Sequence, residues 1–157
     1  MVPTGAGLDD VKSLEDPRLK GKHIGVIAGT PPATIMANDG LINDAKPFPL
    51  MVDTRVDAPS KSMIDQIVSG SLDAGILWGP IGGYYAKHAS KPLTVIPLVH
   101  EHGGPMDFRI SMGVRRSDQD WKRTLNRLIS ENQDAINKIL IGYGVPIVDE
   151  EGKAITQ

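Results

Sequence analysis

The sequence predicts an α/β fold, a parallel sheet flanked by helices, continued by a separate C-terminal strand and a long helix. Three observations carry that expectation. Between residues 20 and 102, short apolar runs rich in branched residues alternate with helical apolar patterns, and such alternation builds parallel strands through right-handed crossovers. Glycine (17) and proline (12) fall between these runs without a period, so they mark tight turns rather than a repeat or a disordered tract. At His100-Glu101-His102-Gly103-Gly104-Pro105 the pattern breaks at a Gly/Pro-rich joint, and one strand-like and one helix-like stretch follow. The expected layout is an irregular lead-in over 1–19, an α/β unit over 20–102 and a return segment over 103–157.

The lead-in is polar and rich in turn formers. His23-Ile24-Gly25-Val26-Ile27-Ala28 reads as a buried strand. Thr30 stands where a helix cap would, with Pro31 at the first helical position, and the helix is expected to end near Asp39-Gly40. Residues 48–52 form a weaker second strand. Ser60 is placed as the cap of a helix whose Met63, Ile64, Ile67 and Val68 share a face, and Gly70 stops it. Residues 73–78 form the third strand and residues 80–88 the next helix. Residues 93–99 make a fourth strand, which Pro97 demotes toward an edge. In the return segment, residues 108–114 alternate as a half-buried strand does. Ser117 is expected to cap one long helix with an apolar stripe from Trp121 to Leu140, ended by Gly142 or Gly144, with Trp121 in the core. A lone strand and helix bury little by themselves, so this pair needs a docking partner.

Composition excludes several functions. The formal charge of −2 gives no electrostatic reason to expect nucleic acid. The absence of cysteine removes disulfides, thiolate metal sites and a cysteine nucleophile, and it fits an oxidising compartment. No apolar run approaches the length of a membrane span, and the first residues lack a charged start and an apolar segment, so no membrane insertion and no signal peptide are expected. No nucleophile elbow, metalloprotease spacing or phosphate loop is present, and a catalytic role is not expected. His88, His100, Glu101, His102 and Asp107 offer ligand-type side chains, but their spacing matches no metal motif and reads as a polar hinge.

The most informative stretch is Gly75-Ile76-Leu77-Trp78-Gly79-Pro80-Ile81-Gly82-Gly83-Tyr84-Tyr85, a strand running through a Gly-Pro corner into a helix. Ligands of open α/β sheets bind beyond the carboxyl ends of strands. Trp78, Gly79 and Pro80 stand there, and Thr30, Pro31 and Pro32 follow the first strand in the same way. Tyr84 and Tyr85 are candidates for the cleft lining, one of them packing as core. Arg109 could reach a ligand or partner from the hinge strand, or pair locally. Trp78 either lines the cleft or fills it.

These stretches resemble the second half of a type II periplasmic solute-binding protein. Lys20-Gly21-Lys22-His23-Ile24-Gly25-Val26-Ile27-Ala28-Gly29-Thr30 looks like the opening of lobe two, Gly70-Ser71-Leu72-Asp73-Ala74 like the approach to its next ligand-facing strand, and residues 108–143 like the return strand and closing helix. Ala28-Gly29-Thr30-Pro31-Pro32-Ala33 with Trp78-Gly79-Pro80-Ile81-Gly82-Gly83-Tyr84 is similar, more narrowly, to the MoxJ/XoxJ group.

The resemblance implies a non-catalytic periplasmic accessory of a quinoprotein methanol dehydrogenase, with pyrroloquinoline quinone only in that partner and no cofactor or metal in this chain. The alternative it implies is a solute-binding component of an ABC transporter for a small solute that is not an amino acid. The effector-sensing half of a transcription regulator shares the topology, but no helix-turn-helix segment accompanies it. The N-terminal part of lobe one has no counterpart here, so the chain reads as a fragment or as one that exchanges its C-terminal strand and helix with a second copy. Amino-acid binders of this class hold the carboxylate at a helix N-terminus and the ammonium on an acid. Pro31 and Pro32 remove two N–H donors from the first pole, while Thr30, Ala33 and Thr34 keep some. At the second pole Trp78 stands at or beside the place of the acid. An aromatic face there suits an apolar ligand, a cation or a protein surface.

Overall fold

A computed structural model describes residues 1–104 and 106–156. In chain order the strands and α-helices are β1 (Val2–Pro3), β2 (Ile24–Ile27), α1 (Pro31–Asn38), β3 (Ala45–Phe48), α2 (Pro59–Ser69), β4 (Ala74–Ile76), α3 (Gly79–Lys87), β5 (Leu93–Thr94), α4 (Gln119–Glu131) and α5 (Gln133–Gly142). The centre is a parallel sheet in the order β3-β2-β4, with Ile24 aligned to both Ala45 and Ala74. Helices flank this sheet, as the alternation of elements requires.

The two faces of β2 are packed differently because successive side chains point to opposite sides. Ile24 and Val26 face α1, where they join Ile35, Met36 and Leu41 in one buried cluster. On the other face Gly25 of β2 lies beside Gly75 of β4. The two missing side chains leave a slot that α2 fills with Met63, which is fully buried. A Cβ on Gly25 would stand 2.9 Å from the Met63 Cγ, and one on Gly75 would stand 2.8 Å from its Sδ. Ile64, Ile67, Leu72 and Phe48 complete that cluster. Gly70 ends α2 with φ of 83°, a left-handed conformation that glycine adopts without a Cβ penalty.

Several expectations are corrected. The lead-in holds only β1 and a single 3-10 turn at Pro17–Leu19, yet it is packed into the fold. Val2, Leu8, Val11, Leu14 and Leu19 are buried in the cluster on the α1 side of the sheet. The amino group of Met1 donates to the Gly75 carbonyl at 2.9 Å, and the Gly75 N–H donates to the Met1 carbonyl at 2.9 Å. Glu101 fixes the segment by accepting from the Leu14 N–H at 2.9 Å and from the Ser13 hydroxyl at 3.2 Å. Arg18 ties it further, pairing with Asp16 at 2.7 Å and with Asp10 at 2.8 Å. The hydrogen bonds from Arg18 hold the Asp16 carboxyl down at about 2.

The second strand is Ala45–Phe48, upstream of the expected 48–52. It forms an edge with hydrogen bonding on one side only, where Pro47 lacks nothing that pairing needs. Leu50 and Met51 are left exposed. Ser60 does not cap α2, since Pro59 is already its first residue. The expected fourth strand shrinks to Leu93–Thr94 and pairs antiparallel with β1, so it is not part of the parallel sheet.

The return segment departs most. Residues 108–114 form no strand, although they are extended in pattern. Alternation supplies a face but not a neighbour, and among the described residues no strand pairs with it. Ile110 is 80% exposed and Met112 62%. The single long helix is two helices broken at Asn132, which is both the end cap of α4 and the start cap of α5. Its side-chain amide donates to the Leu128 carbonyl at 2.8 Å, competing with the helix ladder. Ser117 caps neither helix; its hydroxyl donates to Asp118. No residue of α4 or α5 is fully buried, and Trp121 is exposed rather than core. Residues 108–114, expected to exchange with a second copy, pair with no strand among the described residues.

The chain leaving α5 packs closely on α3. Gly83 of α3 and Gly144 lie backbone against backbone, so that a Cβ on Gly83 would fall 1.9 Å from the Gly144 carbonyl oxygen. Gly144 also has φ of 82°. Beside this contact the Lys87 ammonium donates to the Gly142 carbonyl.

Candidate functional site at the carboxyl ends of the strands

β2 and β4 are neighbours, but the chain leaves β2 toward β3 on one side and leaves β4 on the other. The gap between their carboxyl ends is thus a topological switch point, where open α/β sheets form their crevice. Thr30, Pro31 and Pro32 lie at the end of β2, and Trp78, Gly79 and Pro80 at the end of β4.

On the β2 side the first turn of α1 offers an anion little. Thr30 does not cap α1 with its side chain; its hydroxyl donates to the Ile27 carbonyl at 2.6 Å and locks the turn. Pro31 and Pro32 carry no N–H. The Ala33 and Thr34 N–H groups both donate to the Thr30 carbonyl, at 3.0 and 3.4 Å. The donors left to Ala33 and Thr34 in the sequence reading are therefore spent inside the helix. A carboxylate would meet no open N–H in the first turn of α1.

The β4 side is aromatic. Trp78 is the residue before α3 and is 44% exposed, so it neither fills the core nor lies flat in solvent. Phe108 from the return segment meets it edge to face, with ring centroids 5.2 Å apart and planes at 68°. Gly79, not Pro80, is the first helical residue; Pro80 takes the second position. Gly79 backs onto Pro146, which a Cβ would approach to 3.0 Å.

Tyr84 stands apart from this crevice, on the flank of α3. Its ring lies 4.4 Å from His88, 5.6 Å from Tyr85 and 6.4 Å from Tyr143. Tyr85 packs against the cluster around Met63. Arg109 pairs with Glu150 at 3.2 Å, both largely exposed, which is the local pairing and not a reach into the crevice. Among the described residues, no three of His, Asp and Glu gather as a metal would require. Glu101 is committed to the lead-in, and the His88 Nδ1 lies 2.7 Å from the Tyr84 carbonyl oxygen. Sequence reading missed Phe108 as the partner of Trp78 and Tyr143 as the partner of Tyr84. The aromatic residue in a row beginning at 108 was the signal for the first, and nothing in the pattern pointed to the second.

A helix-flanked parallel sheet with its crevice at the switch point, continued by a segment that crosses back over α3, defines a lobe of a periplasmic-binding-protein fold. The comparisons narrow that class. The crystal structure of periplasmic binding protein XoxJ from Methylobacterium extorquens AM1 superposes with a TM-score of 0.81 at 35% identity, over 95% of this chain and 67% of that one. The chain belongs to the MoxJ/XoxJ family of periplasmic binding proteins. Protein MoxJ of Methylorubrum extorquens is 26% identical over 155 residues, which cover 88% of this chain; the chain spans about half, 51%, of that curated relative. MxaJ from Methlophaga aminisulfidivorans MPT shares the fold with a TM-score of 0.72 at 21% identity, over 94% of this chain and 65% of that one. No family model matches. Among the described residues no helix is long and apolar enough to cross a membrane.

Proposed function

We propose that this chain is a non-catalytic periplasmic accessory of methanol oxidation, which docks on a quinoprotein methanol dehydrogenase through the carboxyl ends of β2 and β4. The dehydrogenase carries the pyrroloquinoline quinone, and this chain supplies recognition. Kinship with the MoxJ/XoxJ family supports the reading. The observation that carries it is the exposed Trp78 at the switch point, beside an α1 start with no open N–H. A crevice whose α1 first turn has no open N–H and which carries tryptophan, not an acid, at position 78 is poorly built for a zwitterion. Phe108 meets Trp78 there, and Ile110 and Met112 of the same segment are also exposed. Exposed apolar side chains grouped in this way along one segment suit a protein surface. Tryptophan is the residue type most often found to dominate such contacts.

Binding of the purified chain to the dehydrogenase, measured by calorimetry for the parent and for Trp78→Ala, tests this. The substitution is expected to weaken binding by about 2 kcal/mol, roughly thirtyfold, the scale of an interface anchor. Its effect on thermal stability is expected to be small, because the side chain is surface-lying. Equal affinity of parent and variant would remove the strand-end crevice from the interface.

A further inference from the structure

We propose that the groove between the start of α2, the outer face of α3 and the end of α5 binds a small, free organic cation of the alkylammonium class. The groove has a volume of about 640 Å³ and a mostly apolar lining. It meets the strand-end crevice at Pro80 and otherwise uses different residues. Three tyrosines line it: Tyr84 and Tyr85 from α3, and Tyr143 from the residue that ends α5. Leu140 and Ile81 add apolar surface, and Asp57 supplies the one charged side chain of the lining. The faces of aromatic rings carry negative potential, and several of them around a cavity attract an alkylammonium ion that is too weakly hydrated to prefer water.

The charges around the groove agree with a cation. No lysine, arginine or histidine is among its lining residues. The lysines of α2 and α3 are engaged: Lys61 pairs with Asp65 at 2.7 Å, and Lys87 donates to the Gly142 carbonyl, while Lys138 of α5 is not among the lining residues. His88 packs its ring on Tyr84. The starts of α2 and α3 also face the groove, and a helix N-terminus favours anions. That effect amounts to about half a charge, against the full charge of Asp57. It is weakened here because Pro59 and Pro80 each lack an N–H at these two helix starts. The apolar lining and the carboxylate together fit an ion with a greasy shell and a single positive charge. A phosphate or carboxylate would meet Asp57 and lose.

Since Tyr143 follows α5 while Tyr84 and Tyr85 belong to α3, an ion in the groove that touches both sides would also clamp the return segment onto the α/β unit. Binding is therefore expected to raise the melting temperature.

Choline, tetramethylammonium and the neutral isostere 3,3-dimethylbutan-1-ol are titrated into the whole chain, with calorimetry and thermal unfolding as readouts. The same titrations are run on Asp57→Asn, which keeps size and removes the charge, and on Tyr143→Leu, which stays apolar and removes the ring; both positions lie at the surface. Saturable binding of the two cations, with the isostere at least about tenfold weaker and both variants losing that preference, is the expected result. Equal binding of the isostere, no binding of either cation to the folded parent, or an undiminished preference in both variants would overturn the assignment. So would co-sedimentation with phosphatidylcholine vesicles without binding of free choline, since the proposed ligand is a free ion.

Discussion

Met63→Ala is expected to lower the stability of the chain by about 2–5 kcal/mol, which for a chain of this length is a fall in melting temperature of roughly 5–15 °C. Met63 is fully buried and sits in a slot made by two aligned glycines, Gly25 and Gly75. Neither strand can supply atoms to refill that slot, because glycine has no side chain to move in. Collapse would require the sheet itself to bend, so the cavity left by alanine should persist. Persistence is what puts a large-to-small change at the upper end of its range. Thermal and denaturant unfolding measure this. A fall of less than about 2 °C, corresponding to about 1 kcal/mol or less, would mean that α2 does not rest on the paired glycines.

Gly83→Ala is expected to destabilise, against the sign that helix propensity alone predicts. Alanine in place of glycine inside a helix gains up to about 1 kcal/mol. At position 83 the new Cβ would fall 1.9 Å from the Gly144 carbonyl oxygen, and that neighbour is backbone, not the end of a flexible side chain. Overpacking of this kind costs about 1–3 kcal/mol, so the clash wins unless the loop after α5 lifts off α3. Lifting would break the contact of Lys87 with the Gly142 carbonyl and open the tyrosine-lined groove. Either route predicts faster amide exchange over residues 142–146 and lower stability. Gly82→Ala is the control. Its Cβ would meet chiefly the Met1 side chain, with Sδ at 2.9 Å and Cε at 3.0 Å, and that flexible thioether can turn away. The closest other atom, the Leu77 Cβ, stands at 3.2 Å. Stabilisation by Gly83→Ala would show that the return segment does not dock there.

The fold was legible where local pattern and tertiary packing agree. β2 announces itself by branched apolar residues, and α2 by Met63, Ile64, Ile67 and the glycine stop at 70. The lead-in was not legible, because Val2, Leu8, Val11, Leu14 and Leu19 are single apolar residues without a helical or strand period. Each is buried by the sheet that it covers, which no window of sequence contains. Residues 108–114 show the reverse case. They have the alternation of a strand, but a strand exists only with a neighbour. Trp121 misled for a related reason: an amphipathic stripe says which face is apolar and not whether anything lies against it.

The site divides along the same line. Thr30, Pro31, Pro32, Trp78, Gly79 and Pro80 follow strands directly, so strand assignment alone put them at the carboxyl edge. Tyr143 is distant in sequence from Tyr84 and meets it only because α5 ends beside α3, through a backbone contact between two glycines. Arg109 was placed on a strand that does not form, and it pairs with Glu150 instead.

Amide exchange of this chain, alone and in complex with a quinoprotein methanol dehydrogenase, tests the docking reading most directly. Slowed exchange at residues 76–81 and 106–112, the end of β4 and the row that begins at Phe108, is the predicted footprint. Protection confined to the amino ends of the strands, around His23, Asn43 and Ser71, or no protection anywhere, would contradict it.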